Sequence, residues 1–127
     1  MQETHNVNDY ISSGWLSNTE GQLSVDVIET EKEVIIRSAI AGVRSEDLDI
    51  TLNDDTLTIR GERHVEQDHR SDQLVIQECH WGTFSRSIIL PSHVDQDHVN
   101  AVLKRGILTI RLKKVEMDKK IAVHELA

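Results

Sequence analysis

Residues 48–60 read Leu48-Asp49-Ile50-Thr51-Leu52-Asn53-Asp54-Asp55-Thr56-Leu57-Thr58-Ile59-Arg60. Apolar side chains at 48, 50 and 52 alternate with polar ones, and the alternation resumes at 57 and 59 beyond Asn53-Asp54-Asp55. A period of two sends every second side chain to one face of an extended strand. Asn and Asp tolerate left-handed backbone angles, so the acidic interruption reads as a turn. The stretch is a hairpin with one face for a core and one for water.

The same pattern runs outward in both directions. Leu23, Val25 and Val27 alternate with Ser24 and Asp26, and Val34, Ile36 and Ile40 form the next run. Ile88 and Leu90 close a run that begins near Phe84; Val99, Ala101 and Leu103 are followed by Leu108, Ile110 and Leu112. Glu29-Thr30-Glu31-Lys32 is a polar connector, and Lys104-Arg105-Gly106 reads as a three-residue hairpin loop with glycine at positive φ. No segment of helical length shows an apolar face. Short strands punctuated in this way predict an all-β sandwich or barrel. An internal echo adds detail: Val43, Leu48, Ile50, Leu52, Leu57 and Ile59 recur 51 positions later as Val94, Val99, Ala101, Leu103, Leu108 and Ile110. Leu57-Thr58-Ile59-Arg60 returns as Leu108-Thr109-Ile110-Arg111. The echo predicts two similar loop-plus-hairpin units.

A chain of 127 residues suits one domain with a single core. At 38% hydrophobic it is not compositionally disordered, and at 3% aromatic its core must be mostly Val, Ile and Leu. Lys and Arg total 14 against 22 Asp and Glu, a formal charge of -8. Nucleic-acid binding needs clustered cations and aromatic platforms, which argues against that partner. The one cysteine, Cys79, excludes an internal disulfide and fits a reducing compartment. Met1-Gln2-Glu3-Thr4-His5 carries no basic region with an apolar run behind it, and no stretch suits a membrane span. The cytoplasm is the expected location.

Three segments do not fit a simple core, and they set the expected organisation: an arm over 1–20, a domain over 21–113 and a tail over 114–127. The arm is polar with a few apolar anchors, among them Tyr10 and Trp15. Arg63 to Gln73 is a long charged loop holding His64 and His69. Lys113 to Lys120 is a polar leash leading to Ile121-Ala122-Val123.

Catalytic patterns are missing from the sequence. It has no glycine-rich phosphate loop with a following Lys and no Gly-x-Ser-x-Gly elbow. The histidines at 5, 64, 69, 80, 93, 98 and 124 lack metal-ligand spacing, although His64 with His69 could catch a metal adventitiously. Cys79-His80 could suggest a nucleophile beside a base, but strand neighbours point to opposite faces, so Cys79 is expected as a packed structural residue. Asp54-Asp55 and Asp95-x-Asp97 read as turn residues without a surrounding calcium loop. The expectation is no enzyme activity, no cofactor and no metal.

Gly82-Thr83-Phe84-Ser85-Arg86-Ser87, Leu90-Pro91, Val94-Asp95, Ala101 and Gly106-Ile107-Leu108-Thr109-Ile110 follow one another in an order that resembles the small heat shock protein family. Upstream, Val25-Asp26-Val27-Ile28-Glu29-Thr30, Ala41-Gly42-Val43, Glu46-Asp47-Leu48 and Leu57-Thr58-Ile59-Arg60-Gly61-Glu62-Arg63 extend the likeness, which covers about Leu23 to Val123 and is of the bacterial and plant type. The resemblance implies an α-crystallin domain: an immunoglobulin-like antiparallel sandwich in a homodimer. It implies that a strand at about Gln73 to Cys79 crosses to the partner's edge near Leu23 to Val27. Leu23, Val25, Leu74, Val75, Ile76 and Arg86 would then belong to the dimer interface. Independently, Leu74-Val75-Ile76 after a polar loop would be an edge-strand hazard unless something pairs it. Arg86 matches a family arginine near that interface; the other reading is an ordinary exposed strand arginine.

The resemblance also implies a docking tail. Ile121 and Val123 match the family's I-x-I/V motif, and the accepting groove on a neighbouring dimer would comprise Leu48, Ile50, Leu52, Val99, Ala101 and Leu103. Ala41 and Ala122 stand where the family often has proline, and the arm is short for the family. The implied function is an ATP-independent holdase for unfolding client proteins under stress. An adaptor, co-chaperone or assembly protein with one defined partner is the alternative.

Overall fold

Alternating apolar residues condense into two sheets because each strand has only one face to bury. The computed structural model describes residues 20–65, 73–115 and 120–127. The strands are β1 (Gly21–Gln22), β2 (Asp26–Glu29), β3 (Glu33–Ala39), β4 (Leu48–Asn53), β5 (Thr56–Arg63), β6 (Gly82–Ile89), β7 (Val94–Lys104) and β8 (Ile107–Lys114). One sheet has the order β1-β6-β5-β4 and the other β2-β3-β8-β7, so the fold is a sandwich and not a barrel. Every pairing is antiparallel except β1 with β6, which is parallel. The expected arm over 1–20, the charged loop over 66–72 with His69, and the leash over 116–119 lie outside the described residues, save Glu20.

The core is aliphatic, as the composition demands. Val34 and Ile36 of β3, Leu108, Ile110 and Leu112 of β8, and Leu57 and Ile59 of β5 are buried. Register stacks them: Ile36 faces Ile110 across β3 and β8, and Ile50 faces Ile59 across β4 and β5. Among the described residues, Phe84 of β6 is the buried aromatic side chain. It sits opposite Gly61, where a Cβ would lie 2.6 Å from the Phe84 Cζ and 3.0 Å from the Asp47 carbonyl oxygen. Gly61 is therefore in mid-strand because the phenyl ring occupies the side-chain space.

Three local expectations need correction. The run from Leu23 to Val27 is not one strand: β1 ends at Gln22, the chain crosses between sheets, and β2 begins at Asp26. The crossing is pinned by Leu23 N–H donating to the Ser85 carbonyl (3.1 Å) and by Ser38 Oγ–H donating to the Ser24 carbonyl (2.7 Å). The β7–β8 loop has two residues, not three. Arg105 (φ 52) and Gly106 (φ 78) are both left-handed, the geometry that matches the twist of a tight hairpin. Cys79 is exposed and not packed, because residues 73–78 run outside both sheets.

The internal echo survives in three dimensions. The β4–β5 hairpin ends one sheet and the β7–β8 hairpin ends the other. Asp54 (φ 53) and Arg105 (φ 52), the positive-φ residues other than glycine among the described residues, are 51 positions apart, as the sequence repeat requires.

Two substitutions test the packing. Ile36→Ala should lower unfolding free energy by about 2–5 kcal/mol by opening a cavity. Gly61→Ala should cost about 1–3 kcal/mol by overpacking against Phe84, and Phe84→Leu in the same chain should recover part of that loss. Urea midpoints at constant slope would measure both.

Candidate docking groove and dimer edge

β1 and β2 are joined by the short crossing at Leu23, Ser24 and Val25, so they share one flank of the sandwich. β4 and β7 are the outermost strands at the other ends of the two sheets and so share the opposite flank. Leu48, Ile50 and Leu52 pair with Gly61, Ile59 and Leu57, which turns all three toward the space between the sheets. Val99, Ala101 and Leu103 pair with Leu112, Ile110 and Leu108 and turn the same way. Leu48, Ile50, Leu52 and Leu103 are half-buried against the core, while Val99 and Ala101 are exposed. The six residues named from the sequence thus form two apolar rims along one flank. Ile121 and Val123 are 78% and 91% exposed, so the tail covers neither rim in its own chain.

The two rims run in opposite directions. At one end, the Gly106 turn touches Ala41, and Ala41 O accepts a 2.9 Å hydrogen bond from Arg63 Nε beside Gly61 and Leu48. At the other end, Leu90 N–H donates to the Asp55 carbonyl (2.7 Å) and His93 Nδ1 lies 3.0 Å from Asp55 Oδ1, just before β7 begins. β4 therefore descends from the Gly106 end to the Asp55 end, and β7 climbs back.

β7 starts irregularly: pairing with β8 is broken between Val94 and Val99. Asp95 holds the bulge. Its carboxylate accepts the Asp97 backbone N–H (2.9 Å) and meets His98 Nδ1 at 2.7 Å. The Asp97 N–H first and the His98 contact second lower the Asp95 pKa. A second clamp joins Glu29 to Ser92 and Lys114; the Ser92 hydrogen bond first and Lys114 second lower the Glu29 pKa. Lys114 Nζ also donates to Thr30 O (2.8 Å). The sequence offered Asp95-x-Asp97 as turn residues but gave no sign of the bulge, since no apolar alternation marks it.

On the β1–β2 flank, Leu23 is buried in the chain's own core and Val25 packs against it. Arg86 is half-buried and donates from Nη1 to the Leu23 carbonyl (3.1 Å), which sets aside the reading of an ordinary exposed strand arginine. Leu74, Val75 and Ile76 are exposed, Val75 by 85%. The structure brings Leu23, Val25 and Arg86 together and leaves 74–76 apart from them. Sequence reasoning missed Arg63, whose guanidinium donates to the Ala41 and His80 carbonyls and lies 5.9 Å from the Phe84 ring centroid. Among the described residues no group of three or more His, Cys, Asp and Glu is placed to hold a metal, and no helix is long and apolar enough to cross a membrane.

Residues 20–125 match the Hsp20/alpha crystallin family. The chain belongs to that family. The small heat shock protein C4 of Rickettsia felis is 36% identical over 94 residues, covering 74% of this chain and 58% of that one. The 17.6 kDa class I heat shock protein 1 of Arabidopsis thaliana is 37% identical over 99 residues, covering 77% and 64%. This chain thus spans about three fifths of these curated relatives. The structure of heat shock protein 16.0 from Schizosaccharomyces pombe superposes with a TM-score of 0.69 at 32% identity, covering 83% of this chain and all of that one. Small heat shock proteins are non-enzymatic, which agrees with the missing catalytic patterns.

Both perturbed carboxylates predict acid sensitivity. A carboxylate whose pKa is lower in the folded state contributes stability above its unfolded pKa and loses it as pH falls through the folded value. The urea midpoint should fall as pH drops below about 4. Asp95→Asn and Glu29→Gln should each make that fall shallower while lowering the midpoint at neutral pH.

Proposed function

We propose that this small heat shock protein is an ATP-independent holdase that binds unfolding proteins and keeps them from aggregating. The observation that carries the reading is the pair of apolar rims on β4 and β7, together with the exposed Ile121-x-Val123 tail suited to cover them on a neighbour. When tails leave, the groove offers apolar surface to a client that is itself exposing apolar side chains. Binding then withdraws the client from aggregation by mass action. The formal charge of -8 keeps such a surface soluble through self-repulsion. Family membership supports a chaperone role, and the sequence carries no phosphate loop through which ATP would drive release. The lone cysteine supports action in the cytoplasm.

The assembly would be built in two steps. β2 is the last strand of its sheet, and the exposed Leu74-Val75-Ile76 segment lies outside both sheets. An edge strand and an apolar segment that belongs to neither sheet complement each other when the segment crosses to a partner's β2, so residues 73–79 would make the dimer. Tails would then link dimers. Two buried aliphatic side chains supply roughly 3–6 kcal/mol. Association costs about 4–15 kcal/mol, so a single docked tail is weak and many together hold. This gives an assembly that opens under modest heating. The working division is a domain over 21–113 with an arm and a tail at either side.

Light scattering and a client-aggregation assay test the proposal. The intact chain should be a multimer that delays aggregation, and Ile121→Ala with Val123→Ala should reduce it to dimers. A chain that never delays aggregation and instead recovers one stoichiometric partner would establish the adaptor alternative. Val75→Lys with Ile76→Glu should reduce the dimer to folded monomers whose urea midpoint no longer depends on protein concentration, because both side chains are exposed in the single chain.

A further inference from the structure

The two rims of the groove are copies of one pattern. Leu48, Ile50 and Leu52 stand 51 positions before Val99, Ala101 and Leu103, and the two strands run in opposite directions along the flank. Apolar contacts alone therefore give an extended tail little reason to lie one way and not the other. Charge is where the equivalence fails. The turn closing β4 carries Asp54-Asp55, and the corresponding turn after β7 carries Lys104-Arg105. Lys104 and Arg105 have no ion-pair partner among the described residues. Arg44, also at that end, is engaged by Glu46 and Asp47 at 3.6 and 3.7 Å. At the opposite end His93 faces Asp55, and His98 faces Asp95.

The tail is polar in the same sense. Lys120 precedes Ile121 and Glu125 follows Val123. Lys120 to Glu125 is five residue steps, about 17 Å when extended. Leu48 to Asn53 is also five steps, so the charged ends of the tail reach the charged ends of the groove.

Building on the docking reading above, we propose that the tail of a second copy lies in this groove in one direction. Lys120 lies at the Asp54–Asp55 end and Glu125 at the Lys104–Arg105 end, antiparallel to β4. The reverse orientation puts Lys120 beside Arg105 and Glu125 beside Asp54. The rim charges set direction and register more than they add affinity.

Interchain disulfide trapping in the full chain reads the direction. In a Cys79→Ser background, Leu126→Cys is combined with Asp49→Cys or with Asn53→Cys, exposed positions near opposite ends of β4. At low salt the Asp49→Cys chain should give about fivefold more interchain disulfide than the Asn53→Cys chain. Exchanging the tail charges (Lys120→Glu with Glu125→Lys) leaves net charge and both apolar anchors unchanged, and should invert the preference. About 0.5 M salt should erase it, since screening then acts within a few ångströms. Equal yields, or a preference that ignores charge exchange and salt, overturn the proposed direction while leaving docking intact. Undiminished trapping in the Ile121→Ala/Val123→Ala chain overturns the docking reading itself.

Discussion

A strand at the end of a sheet leaves a row of backbone N–H and C=O groups without sheet partners, and two open sheets have four such ends. The architecture of this chain is a set of answers to that constraint. β1 is an edge strand of two residues, too short to template another chain. β2 has four residues and lies beside the crossing that ties the sheets together. β7 is blunted at its start by the bulge that Asp95 and His98 hold, which breaks its pairing before Val99. β4 is the edge left regular over its six residues, and its inward-turned Leu48, Ile50 and Leu52 make it the natural place for an extended segment to add.

The acidic end of the sandwich binds its parts more tightly than the apolar contacts alone. Glu29 reaches both Ser92 and Lys114, Lys114 reaches Thr30, and Val115 N–H donates to the His93 carbonyl at 2.9 Å. These contacts join β2, the β6–β7 loop and the end of β8. The tail therefore departs from a fixed root, while Ile121 and Val123 stay in solvent.

Period-two alternation made Leu57, Ile59, Leu108 and Ile110 legible as core, and the structure buries all four. The same signal misled at Leu23 to Val27. Alternation reports which face a side chain occupies, not which sheet owns it, and the chain changes sheets there without breaking the pattern. Gly106 was legible as a turn residue, but the count of loop residues depends on the twist of the flanking strands. Cys79 was misplaced because Leu74-Val75-Ile76 has a strand-like composition, yet the segment leading to Cys79 belongs to neither sheet. Arg63 left no local trace: its partners Ala41 and His80 are distant in sequence, and only the folded end of the sandwich brings their carbonyls together. The six groove residues were named through the family resemblance, and their shared flank follows from the strand order alone.

The register of β3 against β8 joins Glu33 to Lys113 and Ala39 to Ile107. β8 is thus the inner strand that connects the hairpin of β2 and β3 to β7. During synthesis the first two strands of that sheet emerge early, with Val34 and Ile36 uncovered until residues 107–114 have been made. At about 5–20 residues per second the nascent chain spends several seconds in that condition. The aliphatic side chains that end at the centre of the sandwich therefore pass through an interval of exposure on the ribosome.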